Sequence, residues 1–454
     1  MTPLPLSRPI DANRPAPRRA ALAAIAALSL GVMSALSGCG YYFGEEEEIL
    51  EGERLSIRAV EAPTLVGGDA RLPQTVTVAD WPQAGGNSLR AVGHPAGDFS
   101  LSKVWSASVG AGSDSESLVV AAPVAEGGRV YALDAAAEVT ALSLNGGSRI
   151  WQTDLTPEGE DGRDGFGGGL ALAGDFLIAT TGFGEVVGLS AADGSEKWRF
   201  KAASPFRSPP AVSRGVIVAI SRDGQVIGLD VKTGERLWGV IGVEGGAAML
   251  GGGAPAIGGD LVAAPFASGD LTVFRLSDGA RGWSEGLGAS RRGAGISLIA
   301  DVSSAPVLQN GTIYAGSVSG RLAAFEASTG RRRWSREIGS TNRVWAANET
   351  IFVISDSGAV SALQAATGQT IWTTDLPQFE DPEDREGLIA YAGPTLAGGK
   401  LYVVSSDAKI YRIDALTGAI EKEEDLSSGA TIEPIIAGGM LLVLDENANL
   451  HAYR

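Results

Sequence analysis

Few side chains in this sequence have the type and spacing for acid–base, nucleophilic or metal chemistry. There are two histidines, His94 near the start of the folded part and His451 on the last strand. Neither has a second histidine at metal-ligand spacing, so the pattern predicts no zinc or iron centre. No serine sits in a nucleophile elbow, and no phosphate loop ending in Gly-Lys-Ser/Thr is present. The glycine-rich stretch from Gly239 to Gly253 lies inside an all-β repeat with no helix behind it, and reads as a loop rather than a phosphate cradle. Acidic runs from Glu158 to Asp164 and from Glu380 to Glu386 carry carboxylates of the kind calcium takes, but charge runs in loops are ordinarily solvated. The expectation is a chain with no catalytic residues, no metal and no cofactor.

One residue does point to covalent chemistry. Arg14, Arg18 and Arg19 precede an apolar run from Ala20 to Val32, the layout of an export signal. Leu36-Ser37-Gly38-Cys39 then resembles the lipobox of bacterial lipoproteins, in which the cysteine thiol is lipidated and becomes the first residue. Residues 1–38 are therefore expected to be a signal peptide and Cys39 a lipid anchor. Cys39 is the only cysteine, so no disulfide can form within the chain. Gly40 lacks the aspartate that, by analogy with enterobacterial lipoproteins, signals inner-membrane retention. The expected location is the periplasmic face of the outer membrane. Residues 39–80 carry Glu45 to Glu48 and several proline and glycine breaks, and read as an acidic tether. Forty flexible residues would span roughly 35 Å.

Charge narrows the partners. The formal net charge is −17. The leader holds four arginines against one aspartate, which leaves −20 for the remainder. Such a surface repels phosphate backbones, so nucleic acid is not an expected partner.

Chemistry this sparse puts the weight on architecture. With 63 glycines among 454 residues and few helical patterns, many short strands are expected. One unit recurs, seen clearly at Ile217 to Asp230: an apolar strand, a glycine turn and an alternating strand, which is a hairpin. Lys232-Thr233-Gly234-Glu235-Arg236-Leu237-Trp238 follows, a second glycine turn into a strand that carries a tryptophan. Glycines 147, 194, 234, 279, 330 and 368 each stand four residues before Trp151, Trp198, Trp238, Trp283, Trp334 and Trp372. After Gly418 the tryptophan position is Lys422. Trp105 has no hairpin before it, and the hairpin from Leu441 to Tyr453 has no tryptophan strand after it. The two fragments complete one another.

Eight units of strands alone mean an eight-bladed β-propeller over residues 81–454, closed by pairing of the N-terminal strand with the C-terminal hairpin. Single blades cannot bury their own faces and must stack. The seven tryptophans, Trp105 included, are expected to bind blade to blade rather than to cage a ligand.

The Asp/Thr-Gly-x-x-x-Trp repeat resembles that of quinoprotein alcohol dehydrogenases, which hold pyrroloquinoline quinone in an eight-bladed propeller. Many of those enzymes have adjacent cysteines forming a disulfide under the cofactor, which this chain lacks. The fold carries over; the activity does not. Lipobox, acidic tether, first strand Val104-Trp105-Ser106-Ala107-Ser108-Val109-Gly110 and eight repeats, in that order, resemble the BamB family of the outer-membrane β-barrel assembly (BAM) machinery. The resemblance implies a non-enzymatic scaffold. It would bind the periplasmic domains of a BamA-like barrel protein, with the other BAM subunits, and aid delivery of unfolded clients. A periplasmic quinoprotein-like oxidoreductase or a ligand-binding propeller is the alternative. In that family two loops on one face contact BamA. Pro205-Phe206-Arg207-Ser208-Pro209 matches one, and Ala300-Asp301-Val302-Ser303 before Pro306-Val307 matches the other, with Ser303 where the family has a second aspartate. The resemblance thus assigns partner binding to Phe206, Arg207, Asp301 and Ser303. An intramolecular Arg207–Asp301 ion pair is the competing reading.

Overall fold

The computed structural model describes residues 65–242, 253–288, 302 and 304–454. Cys39, Asp301 and Ser303, and most of the Gly239–Gly253 stretch, lie outside the described residues.

Eight antiparallel four-stranded sheets make the eight blades. Blades 1 to 7 cover residues 124–154, 169–201, 211–241, 256–286, 307–336, 345–375 and 391–425, each running from the inner strand outward. Blade 8 takes three strands from residues 435–453 and its outer strand from Lys103–Ser108, which pairs antiparallel with Asn449–Tyr453. The ring is closed by its own two ends, as the split repeat predicts. The two middle strands of a blade are apolar on both faces, as in Met440–Leu444, where all five residues are buried. Outer strands such as Arg149–Asp154 have no buried residue and are largely polar. Each blade is thus covered by neighbours on both faces and wetted only at its rim.

The tryptophan–glycine pairing is between blades, not within them. The indole Nε1 of Trp105 donates to Leu144 O of blade 1 at 3.1 Å, and Trp151 does the same to Ala191 O of blade 2 at 3.2 Å. Trp198, Trp238, Trp283, Trp334 and Trp372 repeat this toward Val231, Leu276, Ala327, Ala365 and Ala415 at 2.8–3.3 Å. The face of each ring lies on the glycine of the next blade's turn, Trp334 on Gly368 for example. Gly368 sits at φ +68, and a Cβ there would meet the Trp334 ring at 2.6 Å. Gly368→Val therefore meets both a left-handed backbone and a filled contact. It is expected to cost about 2–4 kcal/mol of unfolding free energy, read from the urea midpoint.

The same geometry explains Lys422. The turn an eighth tryptophan would lie on joins the third and fourth strands of a blade, and blade 8 has no such turn because its fourth strand comes from the N-terminal side. Lys422 instead donates to Ser100 O at 3.0 Å and pairs with Glu424 at 2.7 Å. Both contacts are solvent-facing, so Lys422→Ala is expected to change stability by less than about 1 kcal/mol in the same assay.

Residues 65–80, expected to be tether, do not hang free. Val66 N donates to Thr370 O at 3.0 Å, Ala70 N to Leu416 O at 3.1 Å, and Ala70 is buried. From Ala79 the chain then passes once around the ring of inner strands. Ala79, Trp81 and Pro82 offer backbone bonds to Gly438, Ala125 and Leu172 of blades 8, 1 and 2. The Gln83 amide bonds both ways with Val212 of blade 3, at 2.9 and 3.0 Å. Ser88 O and Leu89 O accept from Ile257 and Leu308 of blades 4 and 5. Gly93 O accepts from the Trp345 indole of blade 6 at 2.7 Å, and Pro95 O from Gly398 of blade 7. Trp81 is fully buried and stacks on Trp345, with ring centroids 6.2 Å apart. The centre of the propeller is filled by its own chain.

Candidate functional site

Connections between blades leave from the same end as the turn joining the second and third strands of a blade, which defines a loop face. The loops at Glu158–Asp164, Phe206 and Glu380–Glu386 all lie there. The turns bearing the stacking glycines are on the other face.

The loop between blades 2 and 3 is fixed by backbone bonds to both. Phe206 N donates to Thr181 O at 3.2 Å, and Arg222 N to Pro205 O at 2.7 Å. Thr180 Oγ1 donates to Ser208 O at 2.9 Å. Successive side chains in so extended a loop point opposite ways. Phe206 turns inward, 0% exposed, among Ile178, Val186, Val212 and Ile217. That corrects its reading as a contact residue: it is an anchor that aims its neighbour. Arg207 turns outward, half-buried, with its guanidinium carbon 5.3 Å from the Phe166 ring centroid. Its Nε is enclosed and has no hydrogen-bond partner. Burial, and then the charge of the nearby Arg222, lower the Arg207 pKa. The Arg222 cation thus acts on Arg207, and no carboxylate among the described residues is paired with it. Phe166 and Arg222 were not singled out from sequence. Arg222 was hidden inside a repeat turn, Ser221-Arg222-Asp223-Gly224, whose hairpin role masked its charge.

The other sequence candidates are structural. His94 accepts from Gly399 N through Nε2 at 2.8 Å and lies 2.8 Å from Pro73 O through Nδ1, which occupies both ring nitrogens. His451 Nε2 lies 2.9 Å from Asp445 Oδ2 and 3.2 Å from Ser427 Oγ. Hydroxyl and carboxylate share one nitrogen there, whereas a relay needs one on each. Accepting bonds from His451 and Asn449 holds the Asp445 carboxyl low despite burial, which acts the other way. The acidic run at 380–386 forms a small exposed hairpin, Phe379–Asp381 with Glu386–Leu388. In the run at 158–164, Asp161 caps a short 3-10 turn and Arg163 pairs with Asp114. Among the described residues, no group of three or more His, Cys, Asp or Glu side chains is placed to hold a metal ion.

The sequence matches the family profile described as outer membrane protein assembly factor BamB over residues 54–164, 135–374 and 356–454. The outer membrane protein assembly factor BamB of Yersinia pestis is 29% identical over 257 residues, 54% of this chain and 63% of that protein. The chain thus spans under two thirds of that relative. The BamB of Salmonella typhimurium is 29% identical over 372 residues, 78% of this chain and 89% of the relative. Among solved structures, BamB from Moraxella catarrhalis superposes with a TM-score of 0.65 at 21% identity, covering 78% of this chain and 99% of that one. Quinohemoprotein alcohol dehydrogenase from Comamonas testosteroni has the same fold, with a TM-score of 0.63 at 14% identity over 82% of this chain and 80% of that one. Fold alone thus does not separate scaffold from enzyme, but the match of nearly the whole propeller to the profile does assign the lineage: the chain belongs to the family of the outer membrane protein assembly factor BamB.

Proposed function

We propose that this chain is a non-catalytic assembly factor for outer-membrane β-barrel proteins. It is tethered through a lipid on Cys39 at the periplasmic face of the outer membrane, and its loop face docks on the periplasmic domains of a BamA-like barrel protein. The observation that carries the reading is Arg207: it is aimed outward by a buried Phe206, lies against Phe166 within the field of Arg222, and is paired with no carboxylate among the described residues. An arginine beside an aromatic on a rigid loop is the composition of an interface hot spot. Asp301 and Ser303 belong to the same proposed surface through the family resemblance. The filled channel supports the scaffold over the oxidoreductase, because Trp81, Trp345 and Gln83 take the central space in which a propeller would hold a cofactor.

Affinity capture through a tag on this chain, from membranes in mild detergent, tests the reading. A BamA-like barrel protein is expected in the eluate, and its absence would defeat the proposal. Purified protein given quinone, calcium and a dye acceptor is expected to show no turnover. Clear alcohol-dependent dye reduction would favour the enzyme instead.

A further inference from the structure

Among the described residues, the channel holds more positive charge than carboxylates answer. Arg90 is completely buried, and its guanidinium meets only carbonyls: Pro255 O at 2.9 and 3.2 Å, Pro210 O at 3.5 Å, and Ala84 O. Arg343, on the connection into blade 6, has a side chain only 6% exposed. Its Nε pairs with Glu433 Oε2 at 2.8 Å, and its Nη1 reaches Arg90 O at 3.4 Å. Its Nη2 is enclosed and has no hydrogen-bond partner, while its guanidinium carbon lies 4.9 Å from the Trp345 ring centroid. The ionised groups acting on Arg90 are Arg343 and Glu433, so two cations share one carboxylate. Burial first, and then Arg343, lower the Arg90 pKa to about 9, which still leaves it charged at neutral pH.

Every deficit there has the same sign. The orphaned groups of the channel are donors, Arg343 Nη2 and the buried Trp81 Nε1. Leaving a charged donor buried and unpaired is costly, so a structure that tolerates it ordinarily supplies a partner. Water would satisfy the N–H but not the excess charge. Gly85, at φ +72, lets the channel segment pass close against both arginine side chains: a Cβ there would stand 3.2 Å from Arg343 Nε and 3.0 Å from Arg90 Cδ. The chain as a whole is strongly acidic, at −17, so an anion drawn to this point answers a local field and not a general one.

We propose that one small monovalent anion, chloride in the cell envelope, binds inside the propeller channel at Arg343 Nη2 and neutralises the Arg90–Arg343–Glu433 cluster. The anion is a structural ligand that ties the segment filling the channel to the connections entering blades 6 and 8. The inference is independent of the docking reading.

Bromide in place of chloride is the direct probe. Crystals of the full chain grown in bromide should show one anomalous peak within hydrogen-bonding distance of Arg343 Nη2, and an ordered water with no anomalous signal there would overturn the site. In solution, thermal unfolding at constant ionic strength should move up by several degrees when chloride replaces gluconate, because a ligand of the folded state alone stabilises it by mass action. Equal melting in the two salts would overturn it. Arg343→Gln should abolish the chloride response, but that variant risks misfolding. Glu433→Gln keeps both arginines, removes the competing carboxylate, and should tighten halide binding at least about tenfold. A halide response unchanged or weakened by Glu433→Gln would show that the cluster does not hold the anion.

Discussion

Trp81→Ala is expected to lower the unfolding free energy by about 3–5 kcal/mol, the largest single effect on stability. The ring is fully buried, stacks on Trp345, and belongs to a segment that bonds to all eight blades. Removing it opens a cavity on the axis, where the surrounding strands are held by the closed ring and cannot collapse inward. Trp345→Ala should cost a comparable amount, and the double variant less than the sum, since the two rings share one contact. Urea unfolding followed by far-ultraviolet circular dichroism reads both. A loss below about 1 kcal/mol for Trp81→Ala would mean that the segment lies on the ring without supporting it.

Arg207→Glu is expected to weaken docking at least about thirtyfold, equivalent to about 2 kcal/mol or more at a hot spot. On the proposed docking surface, charge reversal would replace attraction for an acidic group of the partner with repulsion. It also puts a carboxylate where the guanidinium lay against the face of Phe166. Arg207→Lys keeps the charge but loses the planar fork, and should fall between the two. Since Arg207 is only half-buried and Phe206 anchors the loop, the fold should survive either change, which intact circular dichroism and melting temperature would check. Raising salt should weaken wild-type docking and narrow the gap to the glutamate variant, because exposed charges are screened within about 8–10 Å.

The ring was legible because its information is local and repeated. A hairpin, a glycine turn and a tryptophan recur in register, and the unmatched Trp105 and Leu441–Tyr453 disclose which blade is split. What the repeat conceals is which partner each residue serves: Gly368 precedes Trp372 in the chain but packs under Trp334 of the blade before. The filling of the channel was not legible. Residues 79–95 have no periodicity, and their bonds run through single backbone groups or side chains to strands far away in sequence. A signal was nevertheless present. Nine tryptophans occur and the repeat uses seven, and the two left over, Trp81 and Trp345, stack on one another. At the loop between blades 2 and 3, sequence resemblance treated Phe206 and Arg207 alike. Their division into anchor and contact follows from the alternation of an extended backbone, and only the burial of the loop says which of the two faces inward.

The decisive measurement is the Kd of this purified chain for the soluble periplasmic domains of the BamA-like barrel protein. It would be taken by calorimetry for the wild type, for Arg207→Glu on the loop face, and for Arg333→Glu, an exposed arginine of blade 5 on the outer strand Arg332–Arg336. Docking through the loop face predicts a loss of at least about thirtyfold for Arg207→Glu and an unchanged Kd for Arg333→Glu. Equal affinities for wild type and Arg207→Glu, with both proteins folded, would place the docking surface elsewhere on the propeller.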